Sequence, residues 1–197
     1  MSKATILCDS REQKWDHVQR HLERSGIRWL RSKLPVGDYG RMDNLSVVVD
    51  RKASLTEVEG NLIQQHERFR NEAIRAKENG IRLIVLVEAH GIHSLDDVER
   101  WVNPRRTRWE KIDQAHANGR MLKVKISPKP PVDGIQLAQI MRTMAEKYGL
   151  EWRFCSHQDA GKKILELLGV DADAAGGGND QTGDSHANIP AKRWRAC

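Results

Sequence analysis

Residues 45–52 of this chain read LSVVVDRK, an apolar and mostly β-branched run that ends in three charged residues. A run of this kind, preceded here by Asn44, is typical of an interior strand. Side chains alternate between the two faces of a strand, so Asp50 and Lys52 share one face and Arg51 points to the other. The sequence therefore predicts a buried strand with an acid and a base side by side at its end.

Patterns on both sides of this strand predict one α/β domain. Apolar runs indicate further strands at 4–8, 27–30, 81–87 and 151–155. Apolar residues at helical spacing indicate helices at 15–25, 94–118, 135–145 and 160–168, the second interrupted by Pro104. We expect a mixed central β-sheet flanked by helices in a single domain.

Residues 54–80 predict one long helix directly after the central strand. Ser54 and Glu57 have the spacing of a capping box, in which the serine oxygen and the glutamate carboxylate satisfy free backbone N–H groups. Gly80 supplies the expected helix end. We therefore interpret Glu57 as a helix cap rather than as a metal ligand.

The charge of the chain favours a polyanionic partner. Lys and Arg number 33 and Asp and Glu 27, which gives a net charge of +6 and a pI near 9.4. A basic surface of this kind attracts nucleic acid first of all. Between residues 100 and 131 the chain carries nine basic side chains: Arg100, Arg105, Arg106, Arg108, Lys111, Arg120, Lys123, Lys125 and Lys129. This segment is the predicted phosphate-binding region.

The cysteines, the hydropathy and the composition of the C-terminal residues predict the location and the domain organisation of the protein. Cys8, Cys155 and Cys197 fit neither a zinc pattern nor a disulfide framework, and no apolar run has the length of a membrane span. We expect a cytoplasmic protein with reduced thiols and no membrane contact. Residues 1–170 form the predicted domain, and residues 171–197 have the composition of a disordered tail with a basic end.

Asp38 and Asp50 are the candidate metal ligands. Asp38 follows the turn at Pro35 and Gly37, and Asp50 ends the central strand. Carboxylates that converge at a sheet edge hold Mg²⁺ or Mn²⁺, and the ammonium of Lys52 on the same face stabilises developing negative charge. From the spacing of Asp38, Asp50 and Lys52 alone, the alternative to a metal site is an ordinary solvated strand end.

Three linked segments resemble the nuclease motif of the XPF-type structure-specific endonucleases, which belong to the PD-(D/E)XK superfamily. They are DSRE at 9–12, GDY at 37–39 and VVDRK at 48–52, and the resemblance extends over about residues 4–168. It implies a restriction-endonuclease-like fold and a metal-dependent DNA endonuclease that acts on branched, flapped or forked DNA in repair, recombination or replication. Compact bacterial or phage relatives look most similar.

The resemblance also implies roles for individual residues. Asp38, Asp50 and Asp9 would bind Mg²⁺ or Mn²⁺, with Lys52, Arg51 and Arg11 completing the catalytic group. For Asp9 and Arg11, a salt-bridged turn is the alternative. Asp50 stands where the family usually has Glu, and Thr56 where it has an acid.

DNA contacts are expected on both sides of this group. Gln64 and Arg68 lie four residues apart on one face of the predicted long helix. Arg105, Arg106, Arg108, Lys123 and Lys125 would bind phosphate, while Trp101 and Trp109 would either stack on bases or anchor helices. Glu88 is interpreted as a surface carboxylate and most of the eight histidines as solvated.

A second functional class is a non-catalytic protein, either a DNA-binding module or a partner subunit of a nuclease complex, because the family that the chain resembles pairs active with degenerate subunits. Retention of Asp38, Asp50 and Lys52 together argues against it. Any homodimer is expected to form through the nuclease domain.

Overall fold

The computed structural model of the protein describes residues 4–119 and 127–170. Within these residues, six strands form one mixed sheet in the order β2-β1-β3-β4-β5-β6. The strands are Thr5–Asp9 (β1), Arg28–Ser32 (β2), Tyr39–Arg41 (β3), Asn44–Lys52 (β4), Arg82–Glu88 (β5) and Glu151–Cys155 (β6).

Seven α-helices are seen in the same part of the chain. They are Asp16–Arg24 (α1), Leu55–Ile63 (α2), His66–Glu78 (α3), Leu95–Val98 (α4), Pro104–Ala117 (α5), Gly134–Tyr148 (α6) and Ala160–Leu167 (α7), with a 3-10 turn at His157–Asp159 before the last. None of these helices is long and apolar enough to cross a membrane. The predicted α/β domain with a mixed, helix-flanked sheet is confirmed.

Alternating side chains divide the core into two layers. On one face of the sheet, Val48, Leu83 and Val85 pack with α2, α3 and α6. On the other face, Val49 and Ile84 pack with α1 and α7. β4 and β5 thus contribute buried side chains to both faces, as near-continuous apolar runs do in interior strands.

The strand directions bring distant parts of the chain to one edge of the sheet. β1 is parallel to β2, β4 to β5 and β5 to β6, whereas β3 runs antiparallel to both β1 and β4. The ends of β1, β4, β5 and β6 therefore lie at the same edge, where β3 begins. The charged residues that follow the strands meet there.

The predicted single helix over 54–80 is wrong. The structure has α2 and α3, separated at Gln64 and Gln65, and Gln65 leaves the helical region with φ −114° and ψ 29°. The apolar period continues across the break, since Leu62 and Phe69 are both buried. No glycine or proline marks the break, so the pattern carried no signal for it.

Two shorter elements also differ from expectation. β3 has only three residues and was not predicted, because so short a strand shows no alternation. Pro104 begins α5 rather than interrupting a helix, since a proline lacks only an N–H that the first turn leaves unpaired. The thiols of Cys8 and Cys155 are free, as expected, whereas Cys197 and the predicted tail lie outside the described residues.

Candidate active site

Asp50 and Lys52 form a buried pair at the end of β4. Lys52 Nζ donates to Asp50 Oδ1 at 2.9 Å and lies 2.8 Å from Oδ2. The two residues are 3% and 8% exposed. Because they alternate with Arg51, both face the layer of α2 and α3, as the sequence predicts.

A glycine turn places Asp38 beside this pair. Gly37 has φ +63°, and a Cβ there would come within 2.6 Å of Val48 Cγ1, so a side chain would be excluded by both backbone and packing. Asp38 N donates to Val49 O at 2.9 Å, and Asp38 Oδ2 accepts from Arg51 N at 2.8 Å. The turn therefore fixes Asp38 against the end of β4.

Charges in this group are strongly perturbed. Burial raises the pKa of Asp38 well above its ordinary value, and repulsion from Asp50 raises it further. Burial disfavours the charged form of Lys52, but Asp50 and Asp38 outweigh it and the pKa of Lys52 lies above its ordinary value. The two carboxylates thus favour the ammonium form of Lys52.

The three side chains line a cleft of about 380 Å³ between the sheet edge and α2 and α3. Its other lining residues are Arg11, Glu12, Gly37, Arg51, Glu57, Asn61, Gln65, Arg68, Phe69, Glu72 and Arg75. Lys52 Nζ lies 5.8 Å from the centre of the Phe69 ring, so one wall around the ammonium is apolar. The cleft combines a buried Asp50 and a half-buried Asp38 with a basic rim.

Four of these residues form a stripe along α3, of which the sequence predicted only Arg68. Gln65, Arg68, Glu72 and Arg75 are spaced by three, four and three residues, which puts them on one helix face. Glu72 Oε1 also accepts from Gly37 N at 2.9 Å, which ties α3 to the turn that carries Asp38. A polar stripe beside the buried Phe69, Ala73 and Ala76 was the available signal.

Asp9 is placed differently from the expectation of a metal ligand. It is fully buried, and its Oδ1 accepts from Arg11 N and Nε while Oδ2 accepts from Arg11 Nη2 and Leu34 N, at 2.7 to 2.9 Å. Burial opposes ionisation, but these hydrogen bonds outweigh it and lower the pKa of Asp9. Both oxygens are engaged, so the salt-bridged turn describes Asp9 better.

Arg11 and Glu57 both reach the cleft. The Arg11 side chain is 58% exposed, so its guanidinium can meet a ligand while it holds Asp9. Ser54 Oγ accepts from Glu57 N at 3.2 Å, but Glu57 Oε2 accepts from Ala53 N at 2.8 Å rather than from Ser54. Glu57 thus accepts from the N–H of the residue before the N-cap, whereas a standard capping box uses the N–H of the N-cap itself. Its side chain also borders the cleft.

Arg51 points to the opposite face, as predicted. Its guanidinium donates to Glu88 Oε1 at 2.7 Å and to Glu12 Oε1 at 2.9 Å, beneath α1. Glu88 is only 6% exposed, so its interpretation as a surface carboxylate is wrong. It follows five apolar residues of β5 and is stabilised in the interior by Arg51.

The predicted DNA contacts separate into two groups. Arg68 borders the cleft, whereas Gln64 caps α2 outside it and the two no longer share a continuous helix face. Arg105 Nη1 pairs with the buried Glu59 at 2.7 Å, and Arg106 Nε pairs with Glu110 at 3.0 Å. Those two guanidinium groups therefore form intramolecular ion pairs.

Arg108 is exposed and forms no ion pair with any residue of the described ranges. Trp101 packs against the core, and Trp109 Nε1 donates to Ser127 O at 2.8 Å, so both have anchoring contacts. Lys123 and Lys125 lie outside the described residues.

The donor set of the cleft fits a hard divalent cation. Asp50 Oδ2 is buried and accepts no hydrogen bond with acceptable geometry from the described residues, although Lys52 Nζ is near. Asp38 uses Oδ2 for the Arg51 amide, and no described residue donates to its Oδ1. Oxygen ligands of this kind suit Mg²⁺ or Mn²⁺, and a cation there would relieve the repulsion between the two carboxylates.

Comparisons with known proteins agree with this geometry. Two solved structures of XPF from Aeropyrum pernix, one of them in complex with DNA, have the same fold at a TM-score of 0.53 each, with 19% identity for the DNA complex and 21% for the other. They are matched over 84% and 83% of this chain, which spans 64% and 63% of theirs. No curated protein matches. The sequence profile of the ERCC4 domain matches residues 8–167, so the chain belongs to the ERCC4 domain family.

Proposed function

We propose that this protein is a metal-dependent DNA endonuclease, and that Asp38, Asp50 and Lys52 carry its chemistry. The observation that supports this most is the buried Lys52–Asp50 pair next to Asp38 in an open cleft. Lys52 is only 8% exposed, so burying its ammonium costs free energy of desolvation. An apolar side chain would pack equally well at this position. Such perturbed groups in a cleft are typical of an active site.

Asp38 and Asp50 would hold Mg²⁺ or Mn²⁺ through the oxygens that lack hydrogen bonds from the described residues. The cation, when bound, supplies Lewis-acid polarisation of a phosphate oxygen and lowers the pKa of a water. Lys52, held by Asp50, presents a fixed positive charge to the phosphate as negative charge develops on it. Arg11 is placed to bind a neighbouring phosphate oxygen. In this proposal Asp9 orients Arg11 and is not a ligand.

The rim of the cleft would hold the DNA backbone. Arg68 and Arg75 on α3 border the cleft, are exposed, and form no ion pair with the described residues. Phosphate contacts of this kind position DNA without reading its sequence. We infer a substrate with branched, flapped or forked DNA from the family to which the chain belongs. The homodimer expected through the nuclease domain stays a prediction.

The experiment is a cleavage assay on flap, fork, Holliday-junction and linear DNA with Mg²⁺ or Mn²⁺. Asp50→Ala and Lys52→Ala should abolish cleavage, whereas Asp43→Ala, which removes an exposed carboxylate paired with Arg41 away from the cleft, should cut like the wild type. Cleavage of none of the substrates in either metal, with DNA binding retained, would favour the non-catalytic module. Equal cleavage by all three variants would refute the proposed residues.

A further inference from the structure

A second cluster of ligating side chains lies on the other face of the sheet. Within residues 4–119 and 127–170, His17, Glu88 and His157 are the one group of three His, Cys, Asp or Glu residues whose ligand atoms all lie within 4.8 Å of one another. His17 belongs to α1, Glu88 ends β5, and His157 lies in the turn after β6. We call these three residues the histidine cluster.

Both imidazoles are aimed at the same carboxylate. His17 Nε2 lies 2.7 Å from Glu88 Oε1, and His157 Nδ1 lies 2.7 Å from Glu88 Oε2. The two rings are stacked with their centres 3.8 Å apart and their planes at 26°. Two nitrogens and a carboxylate oxygen therefore converge from three separate elements.

The charges around the histidine cluster are compatible with a bound cation. Arg51 is shared between Glu88 and Glu12, so one guanidinium faces two carboxylates. Two carboxylates therefore share one permanent positive charge beside the histidine cluster, which leaves Glu88 able to bind a further cation.

We propose that the histidine cluster is a binding site for Zn²⁺, with His17 Nε2, His157 Nδ1 and a Glu88 oxygen as ligands. Two histidines and one glutamate are an established zinc ligand set, and three protein ligands leave a position for water. The His157 side chain is 64% exposed, so that position faces solvent. Neighbouring ligand atoms around zinc lie about 3.3 Å apart at ordinary bond lengths, so Glu88 has to move back by about half an ångström to admit the ion.

This site is distinct from the cleft in position and in chemistry. Glu88 lies on the face of the sheet that carries α1, whereas Asp50 and Lys52 lie on the face that carries α2 and α3, and Arg51 lies between the two sites. Imidazole nitrogens favour Zn²⁺, while the all-oxygen donors of the cleft favour Mg²⁺ or Mn²⁺. A zinc ion here would link α1, β5 and the turn before α7, and through Arg51 also the strand that carries Asp50. The inference does not depend on nuclease activity.

The test is a zinc titration of the full chain carrying Asp50→Asn and Lys52→Met, with a chromophoric zinc indicator as competitor and millimolar Mg²⁺ present. Replacing both partners leaves no unpaired buried charge, and the substitutions and the Mg²⁺ together suppress zinc binding in the cleft. One equivalent of Zn²⁺ should bind. His17→Gln and His157→Gln should each weaken binding at least tenfold, whereas His93→Gln, at an exposed position outside the cluster, should not.

Substitution of Co²⁺ for Zn²⁺ provides a second measurement. Bound Co²⁺ should show the d–d absorption of a four- or five-coordinate site, and His157→Gln should abolish it while far-UV circular dichroism stays unchanged. His157 is mostly exposed, so its loss tests the ligand without disturbing the core. No zinc binding by the parent chain, or equal binding by both cluster variants and the control, would overturn the proposal.

Discussion

Lys52 Nζ lies within 2.9 Å of both carboxylate oxygens of Asp50, and both residues are buried at the end of β4. The two residues therefore form a buried ion pair, in which each charge is stabilised in the interior by the other. Breaking such a pair from one side leaves a buried charge and costs about 3–5 kcal/mol, whereas replacing both partners can be nearly neutral. Stability and activity can thus be separated at this pair.

Lys52→Met should lower the free energy of unfolding by about 3 kcal/mol, because Asp50 keeps its charge without a partner. The double variant Asp50→Asn, Lys52→Met should recover most of that loss and still cleave at least about a hundredfold more slowly than wild type. Urea denaturation and single-turnover cleavage measure the two effects. Recovery of cleavage in the double variant would contradict the proposed roles.

The raised pKa of Asp38 predicts that the free energy of unfolding of the metal-free protein falls as the pH rises. Burial and Asp50 raise the pKa of Asp38 in the folded state above its unfolded value. The folded state therefore holds this proton more tightly, and its contribution is complete below the unfolded pKa of about 3.9 and is lost as the pH rises through the folded pKa. The slope from this one group reaches at most about 1.4 kcal/mol per pH unit.

Asp38→Asn should remove that slope and stabilise the metal-free protein at neutral pH, since the amide oxygen of the introduced side chain can still accept from the Arg51 N–H. Urea titrations in EDTA from pH 4 to 8 measure this for both proteins. Added Mg²⁺ should stabilise wild type and not the variant. If the variant is less stable than wild type at pH 7 in EDTA, the ionised carboxylate of Asp38 does not destabilise the folded protein and the prediction is contradicted.

Gly37→Ala should displace Asp38, because the new Cβ would lie 2.6 Å from Val48 Cγ1 at a backbone φ of +63°. Gly26→Ala is a matched control, since Gly26 has φ +60° and no atom within 4 Å of the added Cβ. The control should lose about 1–2 kcal/mol from backbone strain alone. Gly37→Ala should lose about 1–3 kcal/mol more from overpacking, together with cleavage activity. Equal losses in the two thermal melts would refute the packing argument.

Arg68→Ala and Arg75→Ala should each weaken DNA binding and reduce the slope of log affinity against log salt concentration by about 1. Arg28→Ala removes an exposed arginine at the opposite edge of the sheet and should leave both quantities unchanged. Arg105→Ala should instead destabilise the protein, because it leaves the buried Glu59 unpaired. Fluorescence anisotropy at several salt concentrations distinguishes these outcomes.

Local sequence was sufficient for much of the fold. The alternation in β4 predicted that Asp50 and Lys52 share a face and that Arg51 leaves it, because strand geometry depends only on neighbouring residues. The break between α2 and α3 escaped prediction, because the same apolar period continues across it. Asp9 could not be assigned between ligand and turn, because its hydrogen bonds come partly from Leu34, 25 residues away.

By itself, the sequence determined the α/β class and the central strand, and it predicted that Asp38, Asp50 and Lys52 lie together, since these follow from local alternation, charge and motif order. Only the tertiary structure showed that Arg105 pairs with Glu59 and that α3 borders the cleft. It alone brought His17, Glu88 and His157 together, because those residues are separated by 71 and 69 positions. Their convergence depends on parallel strands ending at one edge, and that relationship is set by chain topology rather than by any local pattern.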